Sequence, residues 1–102
     1  MPAAVPGSEP AWHLFVVRHP ARDAIRAGLA AAGIETLIHY PVPPHLQPAY
    51  AGLGLRRGTL PVAERLAREV LSLPFGPHLP PADADRVATT VGELAARASR
   101  AA

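Results

Sequence analysis

Thirteen prolines in 102 residues limit the length of every regular element this chain can form. Proline lacks a backbone donor and fixes φ, so strands stop at it and helices begin at it. The segment Trp12-His13-Leu14-Phe15-Val16-Val17-Arg18 precedes Pro20 and carries bulky apolar residues at both parities. It is expected to be a strand covered on both sides, and hence central in its sheet. Pro20 suits the first turn of a helix, and Asp23 places a negative charge at that helix's positive end. Ile25, Leu29 and Ala32 recur at helical spacing opposite Arg22 and Arg26, and Gly33 supplies a left-handed stop with Ile34 packing back. Glu35-Thr36-Leu37-Ile38-His39-Tyr40 then reads as a second strand, ended by Pro41. A right-handed crossover would make these two strands parallel.

Residues 41–60 contain Pro41, Pro43, Pro44 and Pro48 together with Gly52, Gly54 and Gly58. That composition predicts an irregular segment with one short helical turn near Gln47–Ala51, and a loop of this length is usually functional or covered. Pro61 opens a helix with Ala63, Leu66, Ala67 and Val70 on its apolar face. Glu64 with Arg68, and Arg65 with Glu69, are spaced as i,i+4 pairs on its wet side. Val70-Leu71-Ser72-Leu73 reads as a short strand stopped by Pro74. The last helix starts near Pro81 with Asp83 and Asp85 in its first turn. Its core stripe is Ala84, Val87, Ala88, Val91 and Leu94, and Arg97 and Arg100 lie near its negative end. The expected architecture is α+β in two layers, a three-stranded sheet with helices mainly on one face. Residues 1–11, rich in Pro, Ala and Gly, read as a lead-in, and residues 12–98 as one domain.

The cationic residues exclude whole reaction classes. All ten are arginine, and lysine is absent. Without a primary amine on a side chain, these residues cannot form an imine with a carbonyl cofactor, nor supply a phosphate-loop lysine. The absence of cysteine removes disulfides, thiolate catalysis and thiolate zinc sites. A pI near 9.9 suggests a nucleic-acid partner, but the net charge is +2 and only Arg56 and Arg57 are adjacent, so none is expected. MPAAVPGSEP has neither the basic start nor the apolar run of a leader, and prolines break the uncharged stretches. The expectation is a cytoplasmic chain without a membrane span.

Chemistry-bearing side chains concentrate in His39-Tyr40-Pro41-Val42-Pro43-Pro44-His45-Leu46-Gln47-Pro48-Ala49-Tyr50, on a stiffened loop just past a strand end. Tyr and His can stack on a base or sugar and hydrogen-bond at its rim. Two readings fit. The loop holds a polar ligand, or Tyr40 and Tyr50 pack it against the sheet while its histidines face water. His13 could lie near His39 if their strands pair, but the histidines lack the spacing and carboxylates of a metal site.

The ordered segments WHLFVVR, GIET-LIHYPVPPHLQPAY and LPVAERLAREVLSLPFGPHL, within Trp12 to Val91, resemble the carboxy-terminal small domain of the DegT/DnrJ/StrS-type sugar aminotransferases. The resemblance covers about four-fifths of the chain. It implies the fold of a large dimeric aminotransferase, pyridoxal phosphate as the family's cofactor, and a keto sugar linked to a nucleotide as substrate. It further implies that His39 and Tyr40, with His45 beside them, reach the nucleotide sugar. In that family the imine lysine and the cofactor contacts belong to a large domain absent from these residues. The expectation is therefore an aminotransferase fragment, binding no cofactor and inactive alone, whose partner is a large-domain chain or a dimer-type surface. The alternative is a non-catalytic module that binds or senses nucleotide sugars.

Overall fold

A computed structural model describes residues 3–101. Strand β1 (Phe15–Arg18) is followed by helix α1 (Arg22–Ala31), two short 3-10 turns (Pro44–Leu46 and Pro48–Leu53), helix α2 (Pro61–Glu69), strand β2 (Val70–Leu73) and helix α3 (Pro81–Ala101). Residues 3–14 form no helix or strand, and residues 1 and 2 of the expected lead-in lie outside the described residues.

The helices follow their sequence signals closely. Gly33 takes φ +73°, its N–H bonds Ala30 O at 3.0 Å, and Ile34 N–H reaches back to Leu29 O at 2.9 Å. These two bonds satisfy carbonyls that the end of α1 would otherwise leave open, and a left-handed residue is what permits both. Pro61 opens α2 as expected, and Pro74 ends β2. The core consists of Ile25 and Leu29 from α1, Ile34 just after it, Leu71 of β2 and Val87 of α3. Val17, Ile38, Leu73, Val91 and Leu94 pack around it. Gly28 brings α1 and α3 close together, for a Cβ there would lie 2.6 Å from Leu94 Cδ2.

The sheet departs from expectation. It has two strands, not three: β1 and β2 pair antiparallel with Phe15 opposite Leu73 and Arg18 opposite Val70. The segment expected as a second strand, 35–40, makes only one antiparallel bridge, Leu37 with Ser72. It therefore runs in the same sense as β1, but on the far side of β2. The central strand is β2, and β1 is an edge.

The limits of each pairing have physical causes. On β2 the groups that face residue 37 belong to residues 70, 72 and 74. Ser72 gives both its N–H and its C=O to Leu37. Pro74 has no N–H to give, and the Val70 carbonyl accepts Arg22 Nη1 at 2.8 Å instead. The bridge cannot extend either way. On its other side β2 pairs with β1 no further than Phe15, so Trp12–Leu14 lie outside the strand, with Trp12 and Leu14 exposed rather than covered.

Three further expectations are corrected. Arg22 is buried, not on the wet face of α1; its guanidinium donates to the carbonyls of Ala67 and Val70 where α2 ends. Glu69 pairs with Arg18 at 3.0 Å and Glu64 turns inward, so neither expected i,i+4 pair on α2 forms. Ala84 and Ala88 of α3 are exposed, and Leu66 of α2 is exposed too.

The fold is open for its size. Its radius of gyration is 15.8 Å, where a compact domain of this length has about 13 Å. Its accessible surface is 7423 Å², against roughly 5,500 Å² for a compact monomer of this mass. Trp12, Leu37, Tyr40, Leu53, Val62 and Phe75 are among the large apolar residues left in solvent. Small alanine-rich elements bury too little to close over themselves. Among the described residues, no helix is long and apolar enough to cross a membrane.

Candidate functional site

An open cleft of about 530 Å³ lies where the 34–39 segment passes the ends of the two strands. His13, Arg26, Glu35, Thr36, His39 and Phe75 are among its lining residues. His13 and His39 thus share one cleft, although their segments flank β2 rather than pair with each other. The single bridge at Leu37 fixes the backbone two residues before His39. Ser72 then fixes the ring, with His39 Nδ1 2.9 Å from Ser72 Oγ.

Tyr40 follows, 67% exposed, its ring edge-on to His39 at a centroid distance of 5.8 Å. Tyr50 is also exposed. The two tyrosines do not pack the loop against the sheet. They leave aromatic faces and hydroxyls in solvent, where a ligand or a covering surface can reach them.

His45 takes the opposite position. It is 6% exposed, and its Nε2 lies 3.1 Å from Oε1 of the equally buried Glu64. Glu64 Oε1 also accepts the Gly58 N–H at 2.7 Å. The carboxylate therefore ties the first 3-10 turn, the 54–60 bend and α2 together. Burial alone would raise the Glu64 pKa, but hydrogen bonds from His45 and from the Gly58 and Leu60 backbone, with the charge of His45, outweigh it. The net effect holds the carboxyl below its ordinary value of 4.5.

Of the three residues expected at the site, His39 lines the cleft, Tyr40 is exposed beside it with its ring against that of His39, and His45 stands behind the loop as its interior anchor. Sequence reasoning missed Ser72 and Glu64 as their partners. Ser72 sits 33 positions from His39, beyond any local spacing rule. Glu64 offered one faint signal: it lies three residues before the buried Ala67, on the same side of α2. Among the described residues, no three of His, Asp and Glu gather into a group that could hold a metal ion.

The residues also bear on a carbonyl cofactor such as pyridoxal phosphate. Such a cofactor is held through an amine and a cradle for its phosphate. The cleft presents guanidinium, imidazole and hydroxyl groups, and no amine side chain exists anywhere in the sequence. These residues do not fit as its attachment site.

Comparison with known proteins bears on the same stretch of chain. The sequence profile of the DegT/DnrJ/EryC1/StrS aminotransferase family matches residues 2–92. A dTDP-3-amino-3,4,6-trideoxy-alpha-D-glucose transaminase of Streptomyces venezuelae is 54% identical over 101 residues, covering 99% of this chain and 27% of its own length. The erythromycin biosynthesis sensory transduction protein EryC1 of Saccharopolyspora erythraea is 56% identical over 91 residues, covering 89% of this chain and 25% of itself. Among solved structures, DesV of S. venezuelae in complex with a ketimine intermediate superposes at TM-score 0.87 with 55% identity. That alignment covers 92% of this chain and 25% of that one. A DegT DnrJ EryC1 StrS aminotransferase from Brucella abortus gives TM-score 0.82 at 36% identity over the same shares. The chain spans about a quarter of the length of these relatives.

Proposed function

This chain belongs to the DegT/DnrJ/EryC1/StrS aminotransferase family, and from that premise we propose that it is the carboxy-terminal small domain of an aminotransferase acting on nucleotide-linked keto sugars. The observation that carries the reading is the near-complete match to a dTDP-sugar transaminase, over 99% of this chain and 27% of that enzyme. The family uses pyridoxal phosphate, which when bound as an imine makes a carbon–nitrogen bond exchangeable. A chain whose ten cations are all arginine cannot hold it so. The lysine and the cofactor's seat belong to a large domain, on this polypeptide or another, and these residues alone are inactive.

Their contribution is to the sugar nucleotide. His39 at the cleft and the exposed Tyr40 are the contact residues; His45 serves from within by holding the loop that follows them. The test mixes this chain with a lysine-bearing large domain of the family. Expected are a complex that keeps the cofactor's absorbance through gel filtration, and amination of a dTDP-linked keto sugar. His39→Ala should weaken sugar-nucleotide binding about fivefold, the worth of one hydrogen bond near 1 kcal/mol. Two chains that neither associate nor turn over would remove the split-enzyme reading.

The second reading is a non-catalytic nucleotide-sugar-binding module, favoured by the lysine-free sequence itself. Thermal stabilisation of the isolated chain by a dTDP-sugar, lost in His39→Ala, without any complex forming, would select it.

A further inference from the structure

Ser72 is 5% exposed in the middle of β2, and both its backbone groups are committed to Leu37. Its hydroxyl must therefore satisfy itself separately. Burial takes water away from a hydroxyl, so its proton needs a protein acceptor. Among the described residues, Ser72 Oγ makes one hydrogen bond, the 2.9 Å contact with His39 Nδ1. Were Nδ1 the donor, the serine proton would be left buried with nothing to accept it. With serine as the donor, both the hydroxyl proton and Nδ1 are satisfied, and the Nε2–H is left for the cleft that His39 lines.

We infer that the Ser72 hydroxyl donates to His39 Nδ1 and so fixes the neutral ring as the Nε2–H tautomer, a hydrogen-bond donor toward a ligand oxygen in the cleft. Ser72 is a positioning residue: it pins the backbone at Leu37, orients the ring at position 39, and sets which ring nitrogen carries the proton. The ligand group that this arrangement selects is an acceptor, such as a phosphate, hydroxyl or keto oxygen. A donor group at that position, such as an ammonium or amide N–H, meets another donor and is rejected. The inference rests on the reading of His39 as a sugar-nucleotide contact, but the tautomer itself needs no ligand to be measured.

The experiment is long-range proton–nitrogen correlation NMR on the ¹⁵N-labelled chain, at a pH where imidazoles are neutral, with His39→Gln to assign the ring. Expected in the wild type is an unprotonated Nδ1 and a protonated Nε2. Ser72→Ala should return the ring to the two-tautomer mixture of free histidine and weaken binding of dTDP-glucose about fivefold; Ser72→Thr should restore both. A dominant Nδ1–H form in the wild type overturns the inference, and the wild-type spectrum decides this even if Ser72→Ala does not fold. An unchanged tautomer balance in a folded Ser72→Ala chain overturns it equally. Should the tautomer respond as expected while neither protein binds dTDP-glucose, the proton assignment stands and the sugar-nucleotide reading of the site falls.

Discussion

The helix-packed side of the sheet and the 41–60 loop are built on different physics. On the first, Ile25, Leu29, Ile34, Leu71 and Val87 exclude water and hold α1, β2 and α3 together. The second has almost no apolar interior; His45 and Pro43 are its buried residues, and the Glu64 carboxylate gathers its ends. Apolar burial is indifferent to protons and tolerant of angle. A carboxylate with an imidazole and backbone N–H groups around it depends on both. Tyr50 is thus carried by the part of the molecule whose stability responds most to solution conditions, whereas His39 is fixed to the sheet through Leu37 and Ser72.

The largest effect should come from Leu29→Ala, which empties the centre of the core. Such truncations cost about 2–5 kcal/mol, enough to unfold a chain with so thin a core, as circular dichroism during urea titration would register. If the loop's protection from hydrogen exchange survived that change, the two regions would be independent of each other. Arg22→Ala comes next. It strands the Ala67 and Val70 carbonyls, at about 1–3 kcal/mol for each, and should lower the urea midpoint while freeing Val70 to pair.

Acid separates the regions more cleanly. Because the folded Glu64 pKa lies below 4.5, its contribution is complete above that value and is lost as pH falls through the folded pKa. Amide exchange at Gly58 should accelerate on acidification below 4.5, relative to the rate expected for an unprotected amide, ahead of exchange at Leu71. Glu64→Gln should abolish that difference, and an unchanged Gly58 would break the comparison. The smallest effect is expected from Gly33→Ala, which forces a side chain into a left-handed residue at about 1–2 kcal/mol. It should shift the melting temperature while leaving the loop's exchange alone.

The helices were legible because their signals are local. Pro61 and Gly33 mark the start of α2 and the end of α1, and Ile25 and Leu29 repeat at the helical period. The sheet was half legible. Val70–Leu73 was bounded by Pro74, but whether residues 35–40 could join it turned on a carbonyl already taken by Arg22, four dozen positions away. The site was legible as a cluster of residue types and illegible as a division of labour. Nothing near His45 says that it turns inward to Glu64, and nothing near His39 points to Ser72. Buried polar partners are chosen by the fold, and their spacing along the chain carries no period.

Because β1 is an edge, Val16 keeps its N–H and C=O turned away from β2. Such a margin is a template for any extended peptide, including another molecule of the same kind. Its brevity and the guanidinium of Arg18 at its end are the deterrents it carries. Concentrated preparations of the chain should therefore be handled with added arginine or charge, since sticking would begin along that margin rather than through the core.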